Sequence, residues 1–309
     1  MSELSDRADD YLRMRRALGY KLEVQGWLLG EFIAYLERAG APTVTIEHAL
    51  AWATLPAVSR DRAYWAQRLS VVRQFARHLQ RFDPACEIPP ASLLPFRPRR
   101  AVPHLYQPGE ITALMIAASA LPLPLQAATY RTLIGLLAVT GLRLGETIRL
   151  DRDDLDAGQQ LLRVLHSKFG KSREVALHET TITALTGYGK LRDRLCPRPR
   201  CEAFFLSTRG TRLLAPSIHE TFNRLVKIAG IAPHLGGRNP RPHDLRHHFA
   251  VATLLDWHRS GADVQTRLPL LSTYMGHVNP ASTFYYLTAA PELLALVANR
   301  LEPALQGIA

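Results

Sequence analysis

Cysteine is scarce: Cys86, Cys196 and Cys201 are the three in 309 residues. So small and odd a number excludes a disulfide framework and fits a reducing compartment. The stretch "CPRPRC" brings Cys196 and Cys201 close in sequence, but structural zinc needs further ligands at matching spacing and none lies nearby. Long apolar runs are missing as well. Charge or proline interrupts every hydrophobic stretch before the roughly 18 residues that a membrane helix needs. The opening "MSELSDRADDYLRMRRALGY" has no apolar h-region and is not a signal peptide. These absences predict a soluble, cytoplasmic protein without a membrane partner. Acid is in short supply: 27 Asp+Glu face 38 Lys+Arg, a net charge of +11 with His neutral. That balance favours a polyanionic partner such as nucleic acid. Hydrophobic residues, at 47 %, are sufficient for a sizeable core, which excludes global disorder.

The chain divides at a proline-rich stretch. Residues 83–103, "DPACEIPPASLLPFRPRRAVP", hold six prolines and three arginines and cannot be helix interior. A stiff, basic linker over 86–103 separates a helical region, 1–85, from a second domain, 104–309. In the first, "GWLLGEFIAYLERAG" (26–40) places Trp27, Phe32, Ile33 and Leu36 near one helix face. "TIEHALAWA" (45–53) opens on a Thr N-cap candidate. "SRDRAYWAQRLSVVRQFARHLQRF" (59–82) has an apolar stripe through Trp65, Leu69, Val72, Phe75, Ala76 and Leu79. Its other faces carry Arg60, Arg62, Arg68, Arg73, Arg77 and Arg81. Such a helix is either a solvated surface element or one that lies along a phosphate backbone. After the linker, 107–120, 125–142 and 217–230 read as helices. Residues 159–167 and 173–179 read as strands about the turn "KFGK" (168–171), with "AFFLS" (203–207) a candidate third strand. The fold class is mainly α with a small antiparallel β-sheet.

Four stretches carry chemistry: "TGLRLGE" (140–146), "HSKFGKSREV" (166–175), "RPHDLRHHFA" (241–250) and "LSTYMGHVNPASTFYYLT" (271–288). Each alone reads equally well as a helix start, a helix C-cap or a surface turn. Together they supply the parts for phosphoryl transfer. Arg143 and Arg246 can each grip a phosphate through paired hydrogen bonds, and two guanidiniums offset the charge of a pentacoordinate phosphorus. His243 and His277 can donate to the same phosphate or move protons near neutral pH. A lysine at the strand turn, Lys168 or Lys171, can act as a cationic acid. A tyrosine among such cations can be deprotonated well below its free value near 10. Neighbours on a helix point about 100° apart, so only one of Tyr285 and Tyr286 faces a given phosphate. "FGKS" (169–172) hints at a P-loop, but Leu165 stands where its first glycine belongs, and ATP is not expected there. His243 and His247 are spaced four apart like metal ligands on a helix, yet this chemistry needs no metal.

As an ordered set, these motifs resemble the tyrosine recombinase family of the phage-integrase type, over nearly the whole chain. "TGLRLGE" is similar to the family's first-arginine motif, "HDLRH" to its His-x-x-Arg motif and "MGH" to its Gly-His motif. The resemblance implies a catalytic set of Arg143, Lys168, His243, Arg246, His277 and Tyr286, the last nine residues after His277. It selects Lys168 over Lys171, and it makes Glu146 a support for the first arginine. It implies two domains forming a DNA clamp, a helical core-binding domain followed by a mixed α/β catalytic domain. The implied partner is double-stranded DNA, held by a homotetramer on synapsed DNA, alone or with other recombinase subunits. The implied chemistry is cutting and rejoining through a 3′-phosphotyrosyl link, for integration, excision or resolution of a mobile element, with no cofactor and no metal. The C-terminal stretch 291–309 has an apolar face at Leu293, Leu294, Val297 and Leu301, to pack on its own domain or on a neighbouring protomer. Three alternatives remain open at this point: a catalytically silent DNA-binding member of the fold, a type IB topoisomerase, and a metal-dependent nuclease.

Overall fold

The computed structural model describes residues 2–55, 62–94, 103–107, 109–165, 170–233 and 239–277. The chain forms two compact units, Met1–Arg100 and Ala101–Ala309.

The first unit holds α1 (Glu3–Ala17), α2 (Glu23–Arg38), α3 (Ile46–Ala53) and α4 (Arg62–Leu79). Two of these start on side-chain caps, with Ser2 accepting from Ser5 N–H and Thr45 from His48 N–H, satisfying donors a helix start leaves bare. The core gathers Phe32, Leu36, Trp52, Leu69 and Phe75, each contributing on the order of 1.5–3 kcal/mol by leaving water. Residues through 94 belong to this unit: Cys86 is buried in its core, and Arg73 donates to the carbonyls of Pro89 and Pro90 at 2.7 and 3.1 Å.

Two side chains depart from the expected pattern. Trp27 is 59 % exposed. The stripe that α2 buries runs through Leu28, Leu29, Phe32, Ile33 and Leu36, and at about 100° per residue Trp27 falls on the opposite side. Arg68, expected on a solvated face of α4, is buried. Its guanidinium lies 3.7 Å from the centre of the Trp52 ring and donates to the Trp52 carbonyl at 2.7 Å. A delocalised, weakly hydrated cation over an indole face can leave water at modest cost. Arg62, Arg77 and Arg81 stay exposed.

The second unit is built around α6 (Pro124–Thr140), which packs against α5 (Glu110–Ser119), α8 (Glu179–Leu195) and α10 (Pro242–Arg259). Pro124 starts α6 and Gly141, at φ +60°, ends it. The element α7 (Leu144–Arg149) follows, then a three-stranded antiparallel sheet of β1 (Leu155–Asp156), β2 (Leu161–Val164) and β3 (Arg173–Ala176), in that order. Leu162 faces Val175 across β2 and β3, and both are buried. The segment 203–207 is not a strand of this sheet. Ala203 and Leu206 make isolated bridges to Asp151 and Arg212, and Phe204 and Phe205 fill the core beside Tyr188. After α9 (Ala215–Ile228), α10 and α11 (Val264–Met275) share a second apolar cluster of Ala250, Leu254, Leu268, Leu271 and Met275. Among the described residues, no helix is long and apolar enough to cross a membrane.

Candidate active site

The site grows from three helix ends and one strand. Arg143 is the N-cap of α7. The buried Glu146, three residues on, accepts the Arg143 backbone N–H at 3.0 Å and its guanidinium at 2.8 Å. Arg241 and Asp244 repeat this arrangement at the start of α10, at 2.8 Å for the backbone N–H and 3.2 Å for the guanidinium. An acid at N3 satisfies the bare N–H of the cap residue and sits at the positive end of the helix. The pattern Arg-x-x-acid therefore fixes where each helix begins.

One turn into α10, Arg246 is 2 % exposed. It donates to the Gly141 carbonyl at 2.5 Å and to the Met275 carbonyl at 2.8 Å. It thus ties the end of α6 to the end of α11. Gly141 also faces Phe249, whose ring stacks on Tyr274 at 5.8 Å.

The helix α11 ends in Gly276 at φ +68°, and His277 N–H returns to the Ser272 carbonyl at 2.9 Å. A left-handed glycine followed by such a return bond is a common helix stop. It leaves carbonyls at a negative helix end, where cations are favoured. Here three arginines take three consecutive carbonyls. Arg173 Nε donates to Tyr274 at 2.9 Å, Arg246 to Met275 at 2.8 Å and Arg143 to Gly276 at 2.8 Å. Arg173 also donates twice to Glu146, at 3.1 and 2.9 Å.

Electrostatics follow from this crowding. Burial alone would raise the Glu146 pKa. The Arg173 hydrogen bonds and charge, followed by Arg143, override it and hold the carboxyl at about 2. His277 is brought down to about 4, first by burial and then by the charges of Arg246, Arg143 and Arg173. His247 falls to about 4 through burial and neighbouring His243. His243 is lowered through burial and the Arg246 charge. The imidazoles are therefore neutral near pH 7 in the free protein, each with a donor and an acceptor nitrogen, in a site with more guanidinium than carboxylate.

Of the residues expected to act, Arg143, Arg246 and His277 are brought together, with Arg246 and Arg143 among the charges that act on His243 as well. Lys168 and Tyr286, with Tyr285, lie outside the described residues. Lys171 is exposed. Tyr274 packs on Phe249 and donates its hydroxyl to the Ala176 carbonyl at 3.2 Å. The rings of His243 and His247 are edge to face at 5.0 Å. Among the described residues no group of three His, Cys, Asp or Glu side chains is placed to hold a metal ion. Arg173 was not singled out by its sequence context. The available signal was its alternation with Val175 and Leu177, which puts an arginine on the apolar face of a strand.

The model of the Phage integrase family matches residues 106–292. The chain is 42 % identical over 308 residues to a protein of Sinorhizobium fredii named integrase/recombinase y4rB, covering 98 % of each chain. It is 29 % identical over 315 residues to the tyrosine recombinase XerC of Mycobacterium tuberculosis, covering 98 % of this chain and 99 % of that one. Its fold matches the Tn1549 transposon integrase, solved in complex with a circular intermediate DNA, with a TM-score of 0.65 at 16 % identity over 93 % of this chain and 95 % of that one. The chain belongs to the phage integrase family of tyrosine recombinases, enzymes that break and rejoin DNA.

Proposed function

We propose that this chain is a site-specific recombinase of a mobile element, acting in the cytoplasm on double-stranded DNA for integration, excision or resolution. Tyr286 is the nucleophile. Its phenolate oxygen attacks a DNA phosphorus, forming a 3′-phosphotyrosyl bond as the bond to the 5′ oxygen breaks. Lys168 gives that leaving oxygen its proton. The 5′-OH of a second strand then attacks the phosphotyrosine and displaces the tyrosine, so the phosphodiester count is unchanged and neither ATP nor a metal enters the balance. Arg143 and Arg246 offset the charge that builds on the phosphoryl oxygens. His243 and His277 donate hydrogen bonds to them, neutral imidazole being sufficient for that task. The helical unit with its exposed Arg62, Arg77 and Arg81 serves as the core DNA-binding domain. Four protomers act together on two synapsed duplexes.

The observation that carries this reading is the convergence of Arg143, Arg246 and His277 on the end of α11. The Tn1549 integrase, solved on DNA with the same fold, supports the choice of ligand. The test is covalent capture. Purified protein is mixed in EDTA with a pool of randomised nicked duplexes and denatured, and the attached DNA is sequenced, with Tyr286→Phe in parallel. A covalent adduct lost in the variant is expected. An adduct that survives Tyr286→Phe refutes the nucleophile assignment. Cutting that requires a divalent metal indicates a nuclease, and tight binding without adduct indicates a silent DNA-binding member.

A further inference from the structure

We infer that Arg173 is a positioning residue for strand cleavage, registering Arg143 and the Gly276–His277 turn against each other through Glu146. The inference rests on the cleavage role proposed for Arg143 and His277. Every nitrogen of the Arg173 guanidinium is engaged: Nε on the Tyr274 carbonyl, the two terminal nitrogens on the two oxygens of Glu146. Its side chain is 13 % exposed and that of Glu146 is 1 % exposed, so solvent screens the pair little. Arg143 uses one face of the same carboxylate and reaches the Gly276 carbonyl with its other terminal nitrogen. The result is a closed circuit from β3 to α7 to the end of α11.

Space is as tight as the bonding. A Cβ placed on Gly276 would lie 2.6 Å from the nearest terminal nitrogen of Arg173 and 2.8 Å from its Cζ. The guanidinium thus lies against the backbone of the residue before His277. A lysine carries the charge but a single point of donation, and cannot span two carboxylate oxygens and a carbonyl at once. Without the fork, Glu146 would hold Arg143 from one side only, and the Tyr274 carbonyl would lose its donor. Arg173 also stands five residues after Lys168 in the chain, so the strand it anchors leads directly out of the segment that carries the proposed acid.

The test uses the full-length protein and a nicked duplex carrying the site recovered by covalent capture. Three quantities are measured for the wild type, Arg173→Lys and Arg173→Ala: non-covalent affinity, thermal melting, and the single-turnover rate of adduct formation at saturating DNA. The expected result is a rate about 10²-fold lower in both variants, the size of an ångström-scale misplacement, with affinity unchanged. Added guanidinium ion should restore part of the rate to Arg173→Ala and none to Arg173→Lys, whose side chain occupies the site. Wild-type rates in a folded Arg173→Lys overturn the positioning role alone. So does a rate loss that merely follows lost melting temperature and is not restored by guanidinium. A wild type that forms no adduct overturns the cleavage reading, and this inference with it.

Discussion

Replacing Glu146 with Gln keeps the side chain's shape and removes its charge. One carboxylate oxygen becomes an NH₂ that points at guanidinium or backbone N–H donors. Each oxygen receives two bonds, Oε1 from Arg143 at 2.8 Å and Arg173 at 3.1 Å, Oε2 from the Arg143 backbone at 3.0 Å and Arg173 at 2.9 Å. Whichever oxygen is replaced, two charge-assisted bonds are lost, each contributing ~1.5–3 kcal/mol. The upper end of that sum is reduced because the Arg143 side chain is 26 % exposed and water can solvate it. An expected loss of ~3 kcal/mol matches the lower range for breaking a buried ion pair and is a large part of the ~5–15 kcal/mol that holds a domain together. The assay is urea-dependent hydrogen exchange, read on peptides spanning 140–150 and 268–277, because a chain of two units need not unfold in one step. A loss below about 1 kcal/mol, the value of one neutral hydrogen bond, would refute the reasoning. The sign with pH is also defined. The Glu146 pKa is about 2 in the fold against an ordinary 4.5, so its contribution is present above pH 4.5 and is lost as the pH falls toward 2. The Gln variant should lack that part of the acid sensitivity.

Gly141→Ala should destabilise the second unit by ~2–4 kcal/mol in the same assay, since φ is +60° and a Cβ would lie 2.5 Å from the Phe249 ring; unchanged exchange at 140–150 would show that the ring yields freely. His277 should titrate by NMR with a midpoint near 4 in the free protein, and a midpoint at the ordinary value would remove the claim that burial and three arginines keep it neutral. Because the unfolded imidazole protonates near 6.5 and the folded one only near 4, the ring leaves stability unaffected above about 6.5 and destabilises the fold progressively as the pH falls toward 4. Bound DNA phosphate should raise that midpoint, and the check is proton uptake on binding measured in two buffers of different ionisation enthalpy.

Short-range pattern made much of this molecule legible. Thr45 before the mostly apolar Ile46–Ala53 marks the start of α3, because an N-cap acts within three residues. Arg143 with Glu146, and Arg241 with Asp244, act over the same short range, but the sequence reading does not mark these two starts; the structure shows them. The motif residues Arg143, His243, Arg246 and His277 stand out because phosphoryl transfer needs cations and donors in quantity. Three details differ, each for its own reason. Trp27 shares a face with Phe32, Ile33 and Leu36 only until Leu28 and Leu29 are counted, when helical geometry sets it opposite the face that α2 buries. Arg68 looked solvated because a sequence does not show that Trp52 lies beneath it. Segment 203–207 has strand composition, yet its backbone makes only isolated bridges to Asp151 and Arg212 while its aromatic rings pack against Tyr188.

What the sequence determined by itself is the family, the mixed helical class and the identity of the groups available for chemistry, since these depend on residue type and spacing along the chain. What only the tertiary structure decided is their register. Arg246 meets the carbonyl of Gly141 from 105 residues away, Arg143 that of Gly276 from 133, and Arg173 that of Tyr274 from 101. No local rule selects those partners. They follow from which helix ends the packed cores bring together, and from the requirement that carbonyls left bare at the end of α11 find donors once water is excluded.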